Sequence, residues 1–211
     1  MARRGTFITF EGGEGTGKST QIRLLADVLT AGGVNVLRTR EPGGSPGAEA
    51  IRAILVKGDT ARWDGVTEAL LLYAARRDHV EKTIKPALQA GTVVLSDRFA
   101  DSTTAYQGAG HGLDRESLSQ IREAAIGAFG PELTLIFDMP VAEGLRRAEA
   151  RGGTENRYER MGTAFHERLR QEFLAIAAAE PARCLVINAD RTIEAVAEDV
   201  RSAVLARLQT S

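Results

Sequence analysis

The ten residues EGGEGTGKST, 11–20, follow the apolar run TFITF and precede a segment whose Ile22, Leu25 and Leu29 fall on one helical face. Four of the ten are glycine, which costs chain entropy on folding and leaves no side chain to bury. Such a stretch is retained where bare backbone must approach something closely at a strand-to-helix turn. The chain therefore begins with a strand at residues 6–10, a glycine loop, and a helix from Ser19 to Leu29. Further apolar runs stand at VNVLRTR (34–40), TVVLSD (92–97), LTLIFDM (133–139) and CLVIN (184–188). Amphipathic segments lie between and after them, near 45–56, 66–90, 114–127, 141–150, 160–179 and 192–208. Continuous Val/Ile/Leu strands separated by helices predict an α/β fold, with a five-stranded parallel sheet covered on both faces. Ligands of such sheets bind beyond the carboxyl ends of the strands. That rim collects Glu11–Ser19, Arg40–Gly44, Asp97–Arg98 and Asp138, so four charged clusters are expected to share one site.

Composition narrows the classes. A length of 211 residues suits one domain, 1–211, with a full core. A formal net charge of −1 argues against a broad electrostatic footprint for nucleic acid or an anionic membrane. MARRG is followed by no apolar region of a secretory signal, and no run approaches a membrane span. The single cysteine, Cys184, excludes an intrachain disulfide and sits in an apolar run, where a buried inert thiol is expected. His79, His111 and His166 have no metal-site spacing and read as surface or packing residues. A cytoplasmic location fits these features.

Gly12-x4-Gly17-Lys18-Ser19 matches the phosphate-loop pattern G-x-x-x-x-G-K-[ST] in its proper context between strand and helix. Loop N–H groups and the helix N-terminus form an anion nest. Lys18 places a point charge on the β and γ phosphates, and the Ser19 hydroxyl suits Mg²⁺. The expected ATP contacts are Gly12, Gly13, Glu14, Gly15, Thr16, Gly17, Lys18, Ser19 and Thr20. The fold class is thereby the P-loop NTPase type. No N-K-x-D guanine reader accompanies the loop. Asp97, ending a strand beside the loop, is a second candidate metal ligand. Arg98 suits bidentate capture of an acceptor phosphate.

Three further segments carry a resemblance: Arg40-Glu41-Pro42-Gly43-Gly44; Tyr73-Ala74-Ala75-Arg76; and Asp97-Arg98-Phe99 followed by Ser102 and Ala105-Tyr106-Gln107. With the glycine loop, in this order and at these intervals, they resemble thymidylate kinase over roughly residues 6–175. The resemblance implies transfer of the ATP γ-phosphoryl group to dTMP with Mg²⁺, by a homodimer. It implies that Arg98 grips the dTMP phosphate, Arg76 bonds the base carbonyl, Glu14 touches the 3′-hydroxyl and Tyr106 excludes a ribose 2′-hydroxyl. Arg40 is a further acceptor-phosphate candidate, and Ser102, Thr103 and Gln107 are base-side candidates. Glu41 reads as a structural residue of its loop. Leu72 stands where the family usually has a stacking phenylalanine, which covers the base but forfeits about 1 kcal/mol of stacking.

The segment 141–170 carries Arg146, Arg147, Arg151, Arg157 and Arg160, interrupted by Gly152 and Gly153, and reads as a lid near 147–160. Relatives that hold a catalytic arginine inside the loop place it after the acidic residue; here Glu14 is followed by Gly15. The chain resembles the other type, with the arginine supplied by the lid. Arg151 is the first candidate and Arg147 the second. Arg157 aligns with the arginine of the family's usual Asp-Arg pair, although Asn156 precedes it. The alternatives are a kinase of another nucleoside monophosphate and a non-enzymatic ATP-regulated binding module.

Overall fold

The computed structural model describes residues 4–57, 59, 62–152, 157, 158 and 160–210. Five strands, β1 (Phe7–Gly12), β2 (Val36–Arg40), β3 (Val93–Asp97), β4 (Leu133–Asp138) and β5 (Cys184–Asn188), form one parallel sheet in the order β2-β3-β1-β4-β5. The five apolar runs are the five strands, but β1 reaches two residues further than its hydrophobic run, into the glycine loop. Glu11 and Gly12 continue the ladder against Ile136 and Phe137 of β4.

The helices are α1 (Lys18–Ala31), α2 (Pro46–Leu55), α3 (Gly65–His79), α4 (Lys85–Gln89), α5 (Ala100–Thr103), α6 (Arg115–Ile126), α7 (Val141–Arg151), α8 (Thr163–Ala179) and α9 (Ile193–Thr210). A π-helical turn, Val80–Ile84, joins α3 to α4, and another, Thr104–Gly110, follows α5. Side-chain caps explain several of the starts. Asp64 accepts from the N–H groups of Val66 and Thr67, both at 3.0 Å, and Asp114 accepts from Ser117 N–H at 2.8 Å. Pro46 occupies the first turn of α2, where its missing N–H costs nothing.

Two apolar layers sandwich the sheet. On one face Ile22, Leu25 and Leu29 of α1 and Val196, Val200 and Val204 of α9 pack on Ile8, Phe10, Leu95 and Leu135. On the other, Tyr73, Val80, Ile84, Leu88 and Phe99 pack on Phe7 and Val94, and α8 covers Ile136 and Cys184. Cys184 is a buried free thiol, which burial pushes up to about 11. The chain leaving β1 turns to the α1 face, and the chain leaving β3 turns to the opposite face. Neighbouring strands whose continuations diverge leave a crevice between their ends, and the glycine loop and Asp97–Arg98 border it.

One contact seats the glycine loop on its neighbour. Gly15 has φ +69°, and a Cβ built on it would lie 1.9 Å from the Gly144 carbonyl oxygen of α7. A Cβ on Gly144 would reciprocally meet the Glu14 carbonyl oxygen at 2.6 Å. Loop and helix thus touch backbone to backbone. Gly15→Ala adds positive-φ strain to a backbone clash and is expected to lower the unfolding free energy by about 2 to 3 kcal/mol in chemical denaturation. Gly13→Ala, whose Cβ meets nothing within 4 Å, is the control and should cost less.

Candidate active site

The crevice opens into a cavity of about 550 Å³, within the range that takes a small ligand. Glu14 from the loop and Ser19 from the start of α1, Asp97 and Arg98 at the end of β3, Arg40 and Glu41 at the end of β2, and Leu72 and Arg76 from α3 all line it. Ser102, Thr103, Tyr106 and Gln107 border it from α5 and the turn beyond, and Arg151 and Tyr158 from the lid side. Every acceptor-side residue read from the sequence therefore faces one space. Asp138 does not: its carboxylate accepts a bidentate pair from Arg170 of α8, at 2.7 and 3.0 Å, and it stands outside the lining. Three of the four charged clusters share the site, because α8 neutralises the fourth.

In the loop, Lys18 curls back onto its own backbone, donating to the carbonyls of Gly12 (3.1 Å) and Gly13 (2.6 Å) and to Thr16 Oγ1 (3.2 Å). Burial and the neighbouring Arg98 charge bring the Lys18 ammonium down to about 8, against the pull of Asp97, Glu14 and Glu11. The Ser19 hydroxyl donates to Asp97 Oδ2 at 2.5 Å. Hydroxyl and carboxylate are hard oxygen donors side by side. Among the described residues no group of three or more His, Cys, Asp or Glu could hold a metal. A two-oxygen contribution fits Mg²⁺, which keeps several waters and takes phosphate oxygens as its remaining ligands.

Arg98 has φ +71°, a left-handed conformation uncommon for a side-chain-bearing residue. Its Nη1 donates to Gly12 O (2.9 Å) and Ser102 Oγ (3.1 Å), and Nη2 donates to Glu14 Oε1 (3.0 Å). Tyr106 lies beneath the guanidinium, 5.0 Å from ring centroid to Cζ, and its hydroxyl donates to the same Glu14 oxygen at 2.7 Å. Burial would raise the Glu14 carboxyl, but Arg98, Lys18 and the Tyr106 hydrogen bond outweigh it and hold it down to about 2. Burial keeps the Tyr106 phenol well above its ordinary value, so it remains a donor.

At the far end, Arg76 is 2% exposed. Its Nε donates to Glu41 Oε2 at 2.6 Å, and Nη2 donates to Phe99 O (2.9 Å) and Thr103 Oγ1 (3.0 Å). Glu41 also pairs with His79 Nδ1 at 3.0 Å, so this carboxylate holds the arginine in place. Arg76 Nη1 and Gln107 Oε1 are buried and have no hydrogen-bond partner among the described residues. A fixed donor and a fixed acceptor at the cavity wall are what a heterocycle's polar edge would use. Leu72, one turn before Arg76, is 8% exposed and packs with Leu55 and Val56 beside them.

On the lid side, Arg151 in the last turn of α7 borders the cavity. Arg147 does not; it donates to Glu143 Oε1 at 2.6 Å and lies 3.5 Å from Asp190 Oδ1. Arg157 is fully buried against Glu68, with Nη2 to Oε2 at 2.7 Å. Gly153, Glu155, Asn156 and Glu159 lie outside the described residues.

Three residues of this neighbourhood had no role assigned from the sequence, although Glu11 stood on the expected rim and Tyr158 in the lid range. Glu11, wholly buried, accepts from Phe99 N–H (2.7 Å) and Ser102 Oγ (2.6 Å); burial and the Asp101 charge push its carboxyl up to about 7. Glu68 stands eight residues before Arg76 on the same helical face, a spacing that could have revealed it. Tyr158 carries no sequence signal, because only the fold brings it 5.3 Å from the Tyr106 ring.

A phosphate loop opening on a nucleoside-sized cavity at the sheet's switch point defines a P-loop kinase of nucleoside monophosphates. Residues 10–200 match the family model of thymidylate kinase. The thymidylate kinase of Caulobacter vibrioides is 58% identical over 97% of this chain and 98% of the relative, and that of Ruegeria pomeroyi is 50% identical over 99% and 98%. A crystal structure of thymidylate kinase from Ehrlichia chaffeensis superposes with a TM-score of 0.77 at 36% identity, covering 95% of this chain and 99% of the other. The chain belongs to the thymidylate kinase family.

The depressed Lys18 ammonium gives this ATP-dependent enzyme a pH signature. A polyphosphate seated in the loop would favour the charged amine, which burial and Arg98 hold down to about 8, so affinity is expected to fall as pH rises above that value. Calorimetric titration with Mg·ATP should show Kd rising by up to about tenfold per unit above pH 8. Lys18→Met should bind weakly with a flat profile over the same range; a wild-type profile flat to pH 9.5 would remove Lys18 from nucleotide binding.

Proposed function

We propose that this thymidylate kinase works by positioning and charge neutralisation, without a general base, using the residues gathered around the cavity. The bond between the ATP γ-phosphorus and its bridging oxygen breaks, a dTMP phosphate oxygen bonds to that phosphorus, and ADP leaves with dTDP as product. The accepting oxygen is already ionised near neutral pH. Lys18 exchanges its contacts with the loop carbonyls for β- and γ-phosphate oxygens, beside the N–H groups of residues 12–20. Ser19 and Asp97 would hold Mg²⁺, which when bound neutralises charge on the triphosphate. Arg98 binds the acceptor phosphate with Arg40 at its outer edge, and Ser102, fixed between Glu11 and Arg98, orients that guanidinium. Arg151 brings lid charge to the transferring group, ahead of Arg147, which is occupied by Glu143.

Toward the base, Arg76 Nη1 donates to a carbonyl, Gln107 Oε1 accepts from the ring N–H, and Leu72 covers one ring face. Thr103 supports Arg76 through their hydrogen bond. Glu14 receives the 3′-hydroxyl, and Tyr106 stands where a 2′-hydroxyl would go. The observation that carries this reading is the unpartnered Arg76 nitrogen, buried at the wall of the same cavity that Lys18's loop borders. An ATP-regulated binding module would have no use for that donor, nor for the Gln107 acceptor.

We further infer one domain over 1–211, a cytoplasmic location and a homodimer. Among the described residues no helix is long and apolar enough to cross a membrane. Exposed Val66 and Leu70 on α3 offer an apolar strip of the kind a second subunit covers.

ADP release should be measured with dTMP, dUMP, dCMP, dGMP, UMP or no acceptor. A large preference for dTMP is expected, and acceptor-independent release would favour the module. Arg151→Ala should lower kcat by about 10²-fold or more with a smaller change in the dTMP KM, as for a charge used mainly in the transition state. Arg147→Ala should have a smaller effect; the reverse order would move the catalytic charge one helical turn back.

A further inference from the structure

Glu68 lies on α3 one turn before Leu72, wholly buried and outside the cavity lining. Its Oε1 accepts from Gln107 Nε2 at 2.7 Å and from the Tyr158 hydroxyl at 2.8 Å. Its Oε2 faces Arg157 Nη2 at 2.7 Å. Arg157 is held in turn by the carbonyls of Asp59 (2.9 Å) and Leu55 (3.4 Å). Both oxygens of the Glu68 side chain thus face groups that donate, and burial together with Glu68 raises the Tyr158 phenol above its ordinary value, so it remains a donor.

A side chain whose two oxygens both face donors accepts on both sides. A glutamine amide has nearly the same shape either way round, so nothing steric decides which end faces the cavity. The neighbour decides it. Against Glu68 only the NH₂ end of Gln107 is tolerated, which leaves Oε1 buried and unpartnered, the one polar end of this cavity-lining residue not taken up by protein. Arg76, which lines the same cavity, offers Nη1 as a donor and is fixed by Glu41.

We infer that Glu68 is a specificity-determining positioning residue: by locking the Gln107 amide with its oxygen toward the cavity, it makes the wall complementary to a pyrimidine with an N3–H beside a carbonyl. Thymine and uracil have that edge. Cytosine presents a bare N3 beside an amino group and meets acceptor with acceptor and donor with donor. With Arg76 and Gln107 as base readers, the assignment on which this depends, discrimination against cytosine is set by a residue that never touches substrate. The same carboxylate binds Arg157 and Tyr158, so the lid's C-terminal side is anchored to the base-reading end.

Glu68→Gln tests this with a change of one atom. Arg157 only donates, so it retains the new amide's oxygen, and the NH₂ end falls opposite Gln107. Gln107 then turns over, offers its oxygen to residue 68 and presents Nε2 to the cavity. The ratio of kcat/KM for dTMP to that for dCMP should fall at least about tenfold, and the dTMP to dUMP ratio should change less than about twofold, since both bases share one edge. A folded Glu68→Gln protein, checked by its thermal transition, that keeps the wild-type dTMP to dCMP ratio overturns the proposal. If loss of the charge facing Arg157 prevents folding, Glu68→Gln combined with Arg157→Leu removes both charges and frees the amides. The same fall supports the proposal, and an unchanged ratio overturns it. Gln107→Leu separates the two levels. If it leaves the ratio intact, the base-reader assignment fails and this inference with it. If it collapses the ratio while Glu68→Gln does not, only the role of Glu68 is lost.

Discussion

A carboxylate in the middle of the sheet holds the two sides of the active site together. Glu11 is the penultimate residue of β1, wholly buried, and its oxygens take the Phe99 N–H and the Ser102 hydroxyl from the chain leaving β3. The phosphate loop begins one residue later, and Arg98 lies one residue before Phe99. Burying an ionisable group there is costly, which is why its proton is held toward neutral pH. The return is a cross-link between the strand that carries the donor loop and the strand that carries the acceptor arginine. Arg98 in its left-handed conformation closes the link from above, reaching Gly12 O, Glu14 and Ser102 together. The glycine loop and the proposed acceptor arginine are therefore tied into one knot at the end of two adjacent strands.

The same logic recurs at the base-reading end in a drier setting. Arg76 is fixed by Glu41, and Gln107 by Glu68. Each of these side chains keeps one buried atom, Arg76 Nη1 and Gln107 Oε1, without a hydrogen-bond partner among the described residues. A buried polar group left unmatched costs about 1 to 3 kcal/mol, so the ligand that satisfies both gains what the empty wall lacks.

The five strands and the phosphate loop were legible because continuous apolar runs and G-x-x-x-x-G-K-[ST] report local geometry directly. The ends were less so. β1 absorbed Glu11 and Gly12 because hydrogen bonding to β4 continues past the apolar side chains. Residues 100–110 showed no apolar period, yet they form α5 and a wide turn around Glu11 and Arg98. Arg157 read as a lid charge and lies wholly buried, since its partner Glu68 is 89 residues away in sequence and only tertiary packing joins them. Asp138 stood on the expected rim, but Arg170 on α8 neutralises it, a pairing that strand order alone does not reveal.

The close seating of Gly15 on Gly144 bears on how this chain could change. In the other family type a catalytic arginine follows the loop's acidic residue, at the position Gly15 holds here. With a carbonyl oxygen of α7 1.9 Å from where the first side-chain atom would lie, no single replacement installs it. Helix α7 would have to withdraw first, and α7 is the helix that presents Arg151. In this chain a side chain at position 15 and the present seating of α7 exclude each other, so the loop's composition and the position of the helix that carries Arg151 are coupled.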